Sequence, residues 1–135
     1  MNIGLDYDDT YTLDPNFWDI FVKMAKANGH GVFLTTMRSP LECTELPDAL
    51  THELTGIVPT SRQAKEKAVR ALGITIDVWA DDQPKAIHQS ALEVWGNSKP
   101  TPEQRQGIPF KFVLIQWNGT QFMIYEKISQ SLLVA

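Results

Sequence analysis

Cysteine is almost absent: Cys43 stands alone among 135 residues. A lone cysteine allows no internal disulfide and no cysteine-based zinc site, and it fits a reducing, cytoplasmic setting. Long apolar runs are missing too. The longest strongly apolar stretch, residues 112–115, is a strand's worth, far short of the ~20 residues of a membrane span. The N-terminus has no basic lead-in, and Asp6, Asp8 and Asp9 fall where the apolar part of a signal peptide would lie. A basic excess is also lacking. Twelve Lys and Arg face sixteen Asp and Glu, for a net charge of −4, which speaks against a nonspecific duplex binder. Nucleic acid then enters only as a substrate. There are no repeats and no low-complexity tracts. His30, His52 and His88 are scattered, so a histidine metal site is not expected. What is present is an ordinary globular composition, 43% hydrophobic, in a length of about one domain with one real core.

The chain punctuates itself. Asn2–Leu5 is a short apolar run that stops at acids, and reads as a buried strand. Asp14-Pro15 reads as an N-cap with proline at the first helical position. Phe17, Phe21 and Met24 then give one apolar helical face, closed by Asn28-Gly29. Gly31–Thr36 is a second strand. Ser39-Pro40-Leu41-Glu42 is a capping box for a helix through Leu46, Leu50 and Leu54 to Gly56, which Pro47 should break or reset. Ile57-Val58 is a third short strand. Thr60-Ser61-Arg62-Gln63 reads as another capping box, opening a helix that ends at Gly73. Residues 75–80 form a fourth strand, again stopping at acids, and Pro84 opens a last helix closed at Gly96.

Strands alternating with helices imply right-handed crossovers around a mostly parallel sheet, an α/β fold with helices on both faces. Residues 97–109 read as a loop. Two strand-like runs, 110–117 and 120–127, flank Asn118-Gly119, the preferred two-residue hairpin turn. The C-terminal part, 110–135, therefore reads as an antiparallel hairpin and tail. The run 110–117 is apolar on both faces. Such a strand needs cover on both sides, from its own fold or from another copy of the chain.

Four features carry chemistry. Asp6-Tyr7-Asp8-Asp9-Thr10 follows strand one, Thr35-Thr36-Met37-Arg38 follows strand two, Lys65 lies near the start of the third helix, and Asp81-Asp82 follows strand four. In open α/β sheets ligands bind beyond the carboxyl ends of the strands, the edge all four can reach. Carboxylates converging there repel unless something cancels their charge. A hard divalent cation does so, and Mg²⁺ suits one or two carboxylates plus a substrate phosphate. The alternation Asp6-Tyr7-Asp8 points both carboxylates the same way in an extended segment. One can attack an electrophile; the other can protonate a leaving oxygen and later activate water. Thr36 can donate a hydrogen bond to a phosphoryl oxygen, and Lys65 can neutralise the developing charge.

These residues resemble the signature of the haloacid dehalogenase (HAD) superfamily of phosphohydrolases. IGLDYDDT looks like its D-x-D-x-T motif, FLTTMR like its second motif, Lys65 eight residues before Gly73 like its third, and VWADDQP like its fourth. The resemblance covers about residues 2–96. It implies a single three-layer, Rossmann-like domain over 1–135, with a core of about 1–96. It implies Asp6 as nucleophile and Asp8 as general acid/base. Asp81, with Asp6 and the backbone carbonyl of Asp8, would hold Mg²⁺, and Asp82 would act through the metal's waters or orient the lysine. Neither gap between motifs has room for a cap domain, so the resemblance is to small capless members with an open site.

Several assignments stay two-sided at this stage. Thr35 competes with Thr36 for the second motif, and Lys67 competes with Lys65 for the third. Arg38 either touches substrate phosphate or caps a helix. Asp82 either serves the metal or caps the helix at Pro84, and Asp9 reads as a loop-capping acid. Cys43 and the tryptophans Trp18, Trp79 and Trp95 read as packing. The function expected is a Mg²⁺-dependent phosphatase working through an aspartyl-phosphate on a phosphorylated substrate. A metal-dependent nuclease and a catalytically weak binding module are the alternatives.

Overall fold

The computed structural model describes residues 1–96 in full and, beyond them, the backbone of three strands, β5 (Phe110–Trp117), β6 (Phe122–Ile128) and β7 (Ser131–Val134). The expected loop over 97–109 and the Asn118-Gly119 turn lie outside the described residues. Four strands, β1 (Asn2–Leu5), β2 (Gly31–Thr36), β3 (Gly56–Pro59) and β4 (Val78–Asp81), are all parallel, in the order β3-β2-β1-β4. Leu5 pairs with Leu34 on one side and Ala80 on the other. The strand order reverses at β1, so a crevice opens there between the carboxyl ends of β1 and β4.

Helices cover both faces. On one, α1 (Pro15–Ala27) lays Trp18, Val22 and Ala25 onto Ile3, Leu5, Val32 and Leu34. On the other, α3 (Lys65–Ala71) and α4 (Lys85–His88) close over Val58, Ile76 and Trp79 through Val69 and Ile87. Gly4 lets Trp79 lie flat against β1. A Cβ there would meet Trp79 Cε3 at 2.7 Å.

The structure corrects four local expectations. Helix α1 starts as expected, with Asp14 accepting from the Phe17 amide. Its buried face is Trp18–Val22–Ala25, with Phe21 partly buried against the same core, while Phe17 and Met24 are 53% and 62% exposed. The long second helix does not form. The reciprocal Ser39–Glu42 hydrogen bonds are present but cap a single 3₁₀ turn, Leu41–Cys43. Pro47 then resets the chain into α2 (Asp48–Thr51). The Thr60 box is absent as well: Thr60 Oγ1 donates to the Gln63 carbonyl, and the helix begins at Lys65 with no side-chain cap. The last helix is two pieces, α4 and α5 (Ala91–Trp95), the second capped by a true Ser90–Glu93 box and ended at left-handed Gly96. Cys43 sits in the 3₁₀ turn, partly buried against the core.

Candidate active site

Each strand end contributes one part. Where β1 stops pairing, the Asp6 amide still donates to the Ala80 carbonyl at 3.0 Å. That bond ties the start of the first acidic loop to the end of β4. Asp6, Asp81 and Asp82 are all buried, and each offers one carboxylate oxygen within 4.8 Å of the others. Lys65, the first residue of α3 and only 2% exposed, sets its Nζ 2.7 Å from Asp6 Oδ1 and 2.5 Å from Asp81 Oδ2. Lys67, its rival, is exposed on the far side of the same helix.

Among the described residues, one ammonium faces three buried carboxylates and does not balance them. Burial and the neighbouring Asp6 charge push Asp81 well above the usual carboxylate range, Lys65 only partly offsetting them, and the same two causes push Asp82 up further. For Lys65, burial pulls down, but the Asp6 and Asp81 charges outweigh it and hold the ammonium above its ordinary value. A group of hard oxygen donors, short of positive charge and without histidine or cysteine, is chemically matched to Mg²⁺. By that test the residues fit the ion.

Thr10, the last residue of the first motif, joins the two acidic stretches. Its Oγ1 accepts from the Asp82 amide at 3.1 Å and lies 3.1 Å from Asp6 Oδ2 and 3.4 Å from Asp82 Oδ1, sharing its one hydrogen between them. The sequence marked Thr10 as part of a signature but gave it no task. Asp81 Oδ1 accepts from the Gln83 amide at 2.9 Å, and no side-chain bond from Asp82 caps α4.

Asp8 stands apart from this group. Arg38 grips it through two bonds, Nε to Oδ2 at 2.8 Å and Nη2 to Oδ1 at 2.7 Å, which raise the guanidinium's pKa despite its partial burial. The same guanidinium lies 5.0 Å over the Tyr7 ring and donates to the Glu42 carbonyl. Thr36 faces the cavity and accepts from the Arg38 amide, while Thr35 is fully buried and outside the cavity lining. Asp9 holds a left-handed backbone, φ 62°, and its amide donates to Thr12 Oγ1.

Arg62 is the residue sequence reasoning passed over. It and Ser61 are both left-handed, φ 72° and 51°. From there Arg62 forks onto Glu42, whose carboxyl its hydrogen bonds hold down at about 2, and donates to the Met37 carbonyl. It thereby fastens the loop after β2 to the approach of α3. Together these groups line one cavity of about 480 Å³, with Asp6, Lys65 and Asp81 on its lining and Trp95 on its wall. Trp95 thus lines the site and is only partly buried, rather than core.

No family model, curated protein or solved structure matches the chain. Among the described residues no helix is long and apolar enough to cross a membrane.

Proposed function

We propose that this chain is a Mg²⁺-dependent phosphohydrolase of the haloacid dehalogenase type, acting on a phosphate monoester. One observation carries the reading: the Lys65 ammonium set between Asp6 and Asp81, inside a buried carboxylate group at the point where the strand order reverses. Asp6, Asp81 and Asp82 would hold the ion, with the Asp8 carbonyl as the further oxygen the family resemblance implies. When bound, the ion supplies the positive charge that lets a phosphate dianion approach these carboxylates.

The chain's own residues then divide the work. An Asp6 oxygen forms a bond to phosphorus as the ester P–O bond breaks. Lys65 holds Asp6 in place and offsets charge on the phosphoryl oxygens, and the Thr36 hydroxyl donates to one of them. Once freed from Arg38, Asp8 takes a proton from solvent and gives it to the departing oxygen; it then takes one from the water whose oxygen attacks phosphorus, which breaks the phosphorus–Asp6 bond, releases phosphate and regenerates Asp6. In the free protein Asp8 is held by Arg38. The incoming phosphate competes for that guanidinium, and so binding of substrate and release of the acid are one event.

The finer architecture belongs to the same proposal: a single three-layer, Rossmann-like domain with a C-terminal antiparallel hairpin against β4. The backbone register Val78↔Gln116, Asp81↔Val113 and Ile115↔Ile124 supports it. The two apolar faces of 110–117 suit the hairpin to contact between copies, and the lone cysteine suits a cytoplasmic setting. The test is phosphate release from a generic monoester with Mg²⁺, repeated with Asp6→Asn. Loss of release in the variant supports the proposal. Cleavage of nucleic acid strands without monoester turnover favours a nuclease, and inertness in both favours a binding module.

A further inference from the structure

The cavity is far larger than a phosphate group needs. At about 480 Å³ it falls in the ~300–1,000 Å³ range of sites that take a whole small molecule. Its walls divide by chemistry. The carboxylates and Lys65 come from strand ends and the start of α3. Apolar surface comes from two sides: Met37 and Leu41 after β2, and Ala86 and Trp95 from α4 and α5 after β4. Since β2 and β4 flank β1 in the sheet, these two apolar walls follow strands on opposite sides of the one that ends at Asp6. Leu41 is 80% exposed and lines the rim of the crevice. Trp95, partly buried, is the one large aromatic side chain among the described residues of the lining.

Charge narrows the choice further. Among the described residues the lining holds seven carboxylates against three cations, and two of the cations, Arg38 and Arg62, are paired with Asp8 and Glu42. Even with a divalent ion bound, the described part of the lining stays negative. It can host one phosphate at the ion, and it repels further phosphates along a strand. A planar, uncharged body gains from an aromatic wall what a polyanion loses here.

Resting on the phosphohydrolase reading, we infer that the substrate is a small monophosphate ester carrying a planar aromatic group, of the nucleoside monophosphate class, sandwiched between Trp95 and Leu41 while its phosphate lies at Asp6. Mononucleotides are favoured over nucleic acid ends.

The test compares adenosine 5′-monophosphate with ribose 5-phosphate on the full chain with Mg²⁺. Both lose the same primary alkoxide, so leaving-group chemistry cancels and the difference reports the base. The expected result is a kcat/KM for the nucleotide about tenfold or more above that for the sugar phosphate, the scale of one stacking contact. Trp95→Ala is expected to reduce the nucleotide's value about tenfold more than the sugar's, chiefly through KM, and Trp95→Phe to keep most of the preference. Leu41→Asn, at an exposed position that folding tolerates, should lower the same preference. Equal turnover of the two substrates in the unaltered protein overturns the inference. So does an equal loss on both in Trp95→Ala, or faster turnover of a 5′-phosphorylated oligonucleotide than of the mononucleotide. Absence of turnover with these and with p-nitrophenyl phosphate overturns the phosphohydrolase reading itself. Turnover of ribose 5-phosphate without preference leaves that reading standing and sinks only the substrate class.

Discussion

Arg38 and Asp8 meet fork to fork, with Nε 2.8 Å from Oδ2 and Nη2 2.7 Å from Oδ1. Both side chains are only partly exposed, and both line the cavity that holds Asp6. A carboxylate held this way is oriented but not yet free to give a proton. The prediction is that Asp8→Asn separates the two halves of the reaction. With an alkyl phosphate, whose leaving oxygen needs the proton, turnover should fall ~10²–10⁴-fold. With p-nitrophenyl phosphate the first half should survive. A rapid-quench trace should then show a burst of about one nitrophenolate per protein, with the phosphoryl group retained on Asp6. Steady turnover without a burst would remove Asp8 from the second half-reaction.

Lys65 carries both structure and chemistry, because among the described residues it is the cation that pairs with both Asp6 and Asp81. Removing one partner of a buried ionic cluster leaves the others uncompensated, typically at ~3–5 kcal/mol. Lys65→Met, close in shape, should therefore lower the unfolding free energy of the metal-free protein, read from urea curves, by that order. Millimolar Mg²⁺ should recover a large part, since any ion bound to the folded state alone stabilises it. If the variant unfolds at the same urea concentration with and without Mg²⁺, the carboxylates are not the ion's ligands.

The metal-free protein should lose stability as pH rises. Burial and mutual repulsion raise Asp81 and Asp82 in the folded state, so between the ordinary carboxylate pKa and the raised values the folded chain binds more protons than the unfolded one. Their contribution is fully present below about pH 4 and drains away as pH climbs through the raised range. Glu42 runs the other way. Held down at about 2 by Arg62, it contributes above pH 4 and is lost only in strong acid. Melting curves in EDTA from pH 5 to 8 should thus slope downward, and Mg²⁺ should flatten the slope. A rising slope in EDTA would mean that the carboxylate group is compensated by something other than an ion.

Much of the site was legible because its parts sit where a strand runs out. Leu5 to Asp6 and Ala80 to Asp81 are abrupt changes from apolar to acidic, and parallel pairing brings such changes to one edge. Lys65 was legible from its spacing to Gly73, whose left-handed φ of 75° ends α3. The parts that escaped depend on contacts between distant segments. Arg62 acts through two consecutive left-handed residues and a fork to Glu42 twenty positions away, and a local pattern carries neither. In α1, apolar residues occur at Phe17, Trp18, Ile20, Phe21, Val22 and Met24, nearly all round the helix, so periodicity alone did not choose the face. The second helix failed because its cap was sound but Pro47 broke the run after one short turn.

Gly4 gives the most direct test of how the fold places the chemistry. It lies on β1 two residues before Asp6, opposite Trp79 on β4, which lies two residues before Asp81. Trp79 is fully buried, and a methyl at position 4 would come within 2.7 Å of its ring. A ring enclosed on all sides does not yield freely, so Gly4→Ala should force the two strands to adjust. Overpacking of this kind costs ~1–3 kcal/mol. It should also loosen the alignment of Asp6 with Asp81, and so weaken Mg²⁺ binding measured by calorimetry. As a control, Gly73→Ala, where an added Cβ meets nothing within 4 Å, should lower stability through its left-handed φ alone and leave Mg²⁺ affinity as it was. Equal effects of the two variants on Mg²⁺ affinity would mean that strand spacing at Trp79 does not set the geometry of the carboxylates.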